Sequence, residues 1–193
     1  VSLIKERFPG RAKLLEIGCY TAVLAGLLPE QIEYTGVDFD DKAVEIAKKN
    51  GRNVSKINFS ENEIDFKDKF DIIVAAEVLE HLLNPARLMT QIDKLLKADG
   101  MVLISLPNEN TLYHRLMAFL GLGIDLYPFE LYKHLHFPTV RQNINFVSKY
   151  FKIIKKEYYI NPNAKGSRIE KLGVIFRLIP DFIWEGLAYI YPS

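Results

Sequence analysis

Two residues that could serve a ligand stand about twenty positions apart, a glycine at Gly18 and a carboxylate at Asp38, each closing an apolar run. The first run is Leu14-Leu15-Glu16-Ile17, and the second, from Glu33, ends in Gly36-Val37-Asp38. A tight turn after one strand and an acid at the tip of the next is how an open α/β sheet holds an adenosine-containing cofactor. An ionised carboxylate only accepts hydrogen bonds and can take two donors at once, which suits a ribose. A glycine at the turn lets backbone approach a ligand closely.

The elements that must position these residues follow from patterning. Strands are expected at Lys13–Ile17, Glu33–Asp38, Val54–Phe59, Phe70–Ala76 and Met101–Leu106, and helices at Thr21–Leu28, Asp41–Lys49 and Pro85–Lys97. Asp40 is an expected N-cap, Pro85 suits a first helical turn, and Asp99-Gly100 is expected to stop the third helix. Alternating strands and helices predict a doubly wound parallel sheet with right-handed crossovers. After Pro107 the texture changes. Residues 108–149 carry Tyr113, Phe119, Tyr127, Phe129, Tyr132, Phe137 and Phe146, an aromatic-rich helical insertion after the fifth strand, expected to cover the carboxyl edge of the sheet. Two further strands, Phe151–Tyr159 and Gly186–Tyr191, are expected to form an antiparallel return.

At 193 residues the chain suits one domain. With 25 basic and 24 acidic residues it lacks the charge asymmetry of a duplex nucleic-acid binder, so no nucleic-acid partner is expected and a small or lipid-like substrate is easier to accept. A lone cysteine, Cys19, forms neither a disulfide framework nor a metal-thiolate set, and with no visible secretion signal the expected location is cytoplasmic. The apolar stretch Leu172–Tyr191 is interrupted by Arg177, Pro180, Asp181 and Glu185, which argues against a membrane span while leaving room for peripheral contact.

Several short motifs, in order, resemble the class I S-adenosylmethionine-dependent methyltransferases, especially the branch holding ubiquinone-pathway O-methyltransferases and methionine-biosynthesis W-like proteins. They are Leu15-Glu16-Ile17-Gly18-Cys19, Gly36-Val37-Asp38, Phe70-Asp71-Ile72-Ile73, Glu77-Val78-Leu79-Glu80-His81-Leu82, Leu95 to Gly100 and Ser105-Leu106-Pro107-Asn108. The resemblance implies a seven-stranded, mostly parallel sheet with an antiparallel last strand. It also implies S-adenosylmethionine as cofactor. Asp38 would take the ribose hydroxyls and Phe39 would lie against the adenine. Asn58 or Ser60 would meet the adenine edge. Glu16 and the turn Gly18, Cys19, Tyr20 to Ala22 would hold the methionine end, and the backbone around Ala76 and Glu77 would line the sulfonium.

Methyl transfer from a sulfonium is an in-line displacement on an already activated donor, so alignment and exclusion of water carry much of the rate. An oxygen acceptor would gain from a base, for which His81 and His136 are the candidates, or from a metal. The resemblance implies a possible divalent-cation set of Glu77, Glu80 and His81 with a later histidine, His136 or His134; the competing expectation for Glu-His-Leu after the fourth strand is a structural turn.

The glycine loop departs from the family pattern, with Tyr20 and Ala22 where alternating glycines stand. Tyrosine reaches positive φ only at a cost, so the loop is expected to be built differently or to bind more weakly, and Ala22 is a mild change if its φ is negative. A dinucleotide dehydrogenase would need glycines where Tyr20 and Val23 stand. The expected function is S-adenosylmethionine-dependent methyl transfer to a small-molecule or lipid-like acceptor; the alternative is a catalytically inactive domain that keeps the fold and acts through partners.

Overall fold

The computed structural model describes residues 1–108, 112–122 and 134–157. These fall into two compact units, one of residues 1–105 and one beginning at Leu106.

The first unit is a five-stranded parallel sheet: β1 (Ala12–Ile17), β2 (Ile32–Asp38), β3 (Val54–Lys56), β4 (Phe70–Ala76) and β5 (Leu96–Ser105) in the order β3-β2-β1-β4-β5. The central strand reads as a nearly continuous apolar run because parallel strands are covered on both faces, and Leu14, Leu15 and Ile17 have no exposed surface. The chain moves outward from β1 in one direction through β2 and β3, then returns to pair β4 on the other side. Right-handed crossovers in opposite directions put α2 (Asp41–Lys49) and α3 (Pro85–Leu95) on opposite faces. The reversal between β1 and β4 opens a crevice at their carboxyl ends, the place where such sheets bind ligands.

Helix ends follow local chemistry. Asp40 Oδ1 accepts the Ala43 N–H at 2.9 Å to start α2, and Asn84 Oδ1 accepts from Arg87 N at 3.2 Å ahead of Pro85 to start α3. Ile4 of the short α1 (Ser2–Arg7) packs with Ala12, Leu14, Ile32, Ile72, Val74 and Met101 on one face of the sheet.

Four expectations need correction. Residues 21–28 form turns and a single 3-10 turn, Leu24–Gly26, in place of a helix, because Ala22 has φ +56° and no right-handed helix passes through that conformation. The third strand is only Val54–Lys56, since Asn58 begins a turn by accepting the Ser60 N–H at 3.2 Å. Helix α3 ends at Leu95: Leu96 already pairs with Phe70, and the residues up to Met101 bulge before Met101 pairs with Ile72. Finally, the sheet is five-stranded and wholly parallel among the described residues, without the implied antiparallel strand, and residues 151–157, the described part of the sixth expected strand, are irregular in conformation. The rest of that strand, Gly186–Tyr191 and the apolar stretch Leu172–Tyr191 lie outside the described residues. Among the described residues no helix is long and apolar enough to cross a membrane.

The second unit contains α4 (Leu112–Phe119) and α5 (Val140–Val147). Thr139 and Gln142 form a reciprocal capping box at the start of α5. Asn143, buried on that helix, donates to the Pro107 carbonyl at 3.0 Å. Of its aromatics, Phe146 and Tyr150 pack edge to face at 5.5 Å, and Phe119 and Phe137 are exposed. Tyr127, Phe129 and Tyr132 lie outside the described residues.

Candidate cofactor site

The carboxyl ends of β1, β2 and β4 bring together most of the predicted residues. β1 runs into Gly18, whose φ of +72° would strain any other residue. A Cβ there would stand 2.5 Å from Val78 Cγ2, so the turns after β1 and β4 interlock at the crevice. Gly18→Ala combines backbone strain with that clash and should lower unfolding free energy by roughly 2–3 kcal/mol, read from urea denaturation.

Tyr20 and Ala22 also have positive φ, +47° and +56°. The alternating left-handed path is therefore kept without its glycines, contrary to the expected rebuilding, and Ala22 is not the mild change that negative φ would have made it. What holds the path is Asp38. Its Oδ2 accepts the Tyr20 N–H at 2.6 Å and its Oδ1 accepts the Asp40 N–H at 2.9 Å, with the side chain buried. Gly18 and Cys19 N–H both donate to the Val37 carbonyl, at 2.9 and 3.2 Å. The Tyr20 ring is 64% exposed, so little packing opposes its removal. Tyr20→Gly should raise the urea midpoint by releasing roughly 0.5–1.5 kcal/mol of backbone strain.

Below the loop lies a compact polar cluster. Glu16 stands opposite Gly36 in the β1–β2 register, and the Tyr34 hydroxyl donates to Glu16 Oε2 at 2.5 Å. Burial pushes the Glu16 carboxyl up to about 7; the Tyr34 hydrogen bond opposes this and the Asp38 charge adds to it. Burial, with Glu16 alongside, likewise raises the Cys19 thiol to about 12, so this buried cysteine is an unreactive thiol.

On the β4 side, Glu77 follows Ala76 with φ +53°. Its backbone N–H donates to the Ser105 hydroxyl and carbonyl, at 3.1 and 3.3 Å, and Glu77 Oε1 accepts from Ser105 Oγ at 2.5 Å. Strained backbone that the surroundings hold in place is common at ligand sites. Beyond β2, the half-exposed Phe39 packs edge to face on the buried Phe59, with ring centroids 6.4 Å apart. Asn58 and Ser60 occupy the following turn, which Arg87 of α3 ties down by donating to the Ser60 and Glu61 carbonyls at 3.0 and 2.9 Å.

The family model for a methyltransferase domain matches residues 1–149. The chain belongs to that family, the class I S-adenosylmethionine-dependent methyltransferases. Among curated relatives it is similar to the ubiquinone biosynthesis O-methyltransferase of Dechloromonas aromatica (strain RCB), 30% identical over 105 residues that cover 51% of this chain and 45% of that protein. The chain spans about half the length of the curated relatives it matches. Among solved structures it shares its fold with a TehB-like SAM-dependent methyltransferase from Corynebacterium glutamicum, with a TM-score of 0.54, 21% identity, and 86% of this chain and 80% of that one covered. It shares it also with the [4+2]-cyclase SpnF, with a TM-score of 0.61, 21% identity and 81% and 58% covered.

In this methyltransferase-family chain the remaining candidates divide between the two units. Glu80 is buried and His81 half-buried on the 3-10 turn Leu79–His81, four residues or fewer from Glu77. His134 and His136, half-buried, belong to the second unit. Sequence reasoning missed Tyr34, Ser105, Val78 and Arg87. Tyr34 had a signal: positions 34, 36 and 38 share one face of β2, so a tyrosine two residues before Gly36 points to the same side as Asp38.

Proposed function

We propose that the chain is an S-adenosylmethionine-dependent methyltransferase that acts on a small-molecule or lipid-like acceptor by in-line transfer. The observation that carries this is the buried Asp38 carboxylate holding the Tyr20 N–H at 2.6 Å at the mouth of β1. Each of its oxygens takes one backbone donor, and a carboxylate oxygen has a second lone pair, so two ribose hydroxyls can still be accepted. The residues present thus fit the donor. Asp38 would hold its ribose, Phe39 braced on Phe59 its adenine face, and Asn58 or Ser60 the adenine edge. Glu16 and the Gly18, Cys19, Tyr20 turn would hold the methionine end, with backbone at Ala76 and Glu77 beside the sulfur. When bound, the donor supplies an electrophilic methyl group; the chain's part is to align it and exclude water.

For an oxygen acceptor His81 and His136 are the proposed bases. Glu77 commits one carboxylate oxygen and its amide to Ser105, which suits an acid that shapes the β4 turn better than one that ligates an ion. The proposed transfer therefore does not draw on Glu77 as a cation ligand. Support for the acceptor class comes from the O-methyltransferase relatives. Calorimetric titration with S-adenosylmethionine and S-adenosylhomocysteine tests the reading, with micromolar binding to both expected. Binding without turnover across phenolic, quinol and lipid acceptors would favour the second reading, a partner-binding domain. That reading draws on the departure at Tyr20 and Ala22 and on the general point that one fold hosts several chemistries.

A further inference from the structure

The cluster beneath the loop is built around an absence. A Cβ on Gly36 would lie 2.7 Å from the Tyr34 hydroxyl and 2.8 Å from Cys19 Sγ, so glycine at this position opens the space that the hydroxyl and the thiol fill. The Tyr34 ring lies along its own strand toward the carboxyl end, and its hydroxyl reaches Glu16 on the neighbouring strand at 2.5 Å. On β4, the residue opposite Glu16 is the apolar Val74. The titratable groups facing Glu16 are thus Tyr34 and Asp38 from β2 and Cys19 from the turn after β1. Tyr34 is the hydrogen-bond donor among them; Asp38 contributes a like charge, and the Cys19 thiol lies against the same hydroxyl and donates toward the Tyr20 carbonyl at 3.8 Å.

We infer that Tyr34 is a positioning residue for the methyl donor: its hydroxyl, seated in the gap left by Gly36, aims the Glu16 carboxylate and favours its anionic form, making donor binding pH-dependent. The inference rests on the proposed reading that Glu16 meets the cationic methionine end. The sign follows from the chemistry. A hydrogen bond to a carboxylate favours the anion, so removing the donor raises the pH at which Glu16 ionises. The anion attracts an ammonium group, so binding strengthens as pH rises through that titration.

Two measurements on wild type and Tyr34→Phe test this. The first is the carbon-13 chemical shift of the Glu16 carboxyl against pH in the free protein, which needs no ligand. The second is the dissociation constant of S-adenosylhomocysteine between pH 5.5 and 8.5. The phenylalanine keeps the ring and removes only the oxygen from an existing space, so the fold is retained. The Glu16 midpoint should rise by about one pH unit in Tyr34→Phe, weakening binding about fivefold at pH 7 and less than about twofold at pH 8.5. Glu16→Gln should abolish the pH dependence. An unmoved midpoint, or a loss of affinity equal at every pH, overturns the inference and leaves Tyr34 a packing residue. A shifted midpoint in a protein that binds no S-adenosylhomocysteine overturns the proposed function and the donor half of the inference, while the hold of Tyr34 on Glu16 stands.

Discussion

Replacing Asp38 with alanine should weaken S-adenosylmethionine binding tenfold or more and destabilise the free protein at the same time. The binding loss corresponds to one charge-assisted hydrogen bond or more, roughly 1.5–3 kcal/mol. The stability loss has a separate origin. Asp38 accepts the Tyr20 and Asp40 N–H groups, and without it the left-handed backbone at Tyr20 and the entry to α2 both lose their anchor. Stranding two such donors should cost about 2–4 kcal/mol, visible as a lower urea midpoint. Asp38→Asn separates the effects, since one amide oxygen can keep one of the two N–H groups while its NH2 faces the other. Affinity unchanged in both variants would remove the ribose from this carboxylate.

The second large effect concerns Glu16. Its carboxyl ionises near 7 in the folded protein against an ordinary 4.5, because burial disfavours the charge and Asp38 adds repulsion, against the help of Tyr34. An acid with a raised folded pKa binds more protons folded than unfolded. Stability of the free protein should therefore be greatest below about pH 4.5 for this group and fall as pH rises to about 7, levelling off above. Glu16→Gln keeps an acceptor for Tyr34 and removes the buried charge. At pH 8 the variant should be more stable by up to about 3 kcal/mol, a rise in Tm of several degrees, with the gain shrinking toward pH 5. Donor affinity should fall in the same variant, the trade of stability for function common at binding sites. A stability difference between Glu16→Gln and wild type that is the same at pH 5 and pH 8 would mean that the Glu16 carboxyl is not perturbed.

The legible parts of this chain were those with local signals. β1, β2, β4 and α2 show in apolar runs and stripes, and the Asp40 and Asn84 caps precede their helices as capping chemistry requires. Residues 21–28 have a helical composition, yet the chain there obeys a distant acid: Asp38 holds the Tyr20 N–H and the path continues left-handed through Ala22. A propensity worth tenths of a kcal/mol per residue yields to such a contact. The spacing after β4 was equally visible; what it did not show is that the Ser105 hydroxyl, 28 residues from Glu77, accepts that residue's amide and donates to its carboxylate. Gly18, Glu16, Asp38 and Phe39 were legible as neighbours because they sit at strand ends within short motifs, and the structure puts them at the carboxyl ends of β1 and β2. Tyr34 showed only its side of β2; its contact with Glu16 depends on strand register, which places Glu16 opposite Gly36.

The strand order also governs how the chain acquires its shape. β1 is made well before its second neighbour, β4, which begins only at Phe70, so during synthesis Leu14, Leu15 and Ile17 have β2 on one side and nothing on the other until some sixty further residues have emerged. Folding of the sheet is then limited by closure of a long loop, and the exposed central strand is the segment most open to association with other chains in the interval. Truncations ending between Asp38 and Phe70 should for that reason aggregate, whereas those ending past Ser105 keep all five described strands to pair.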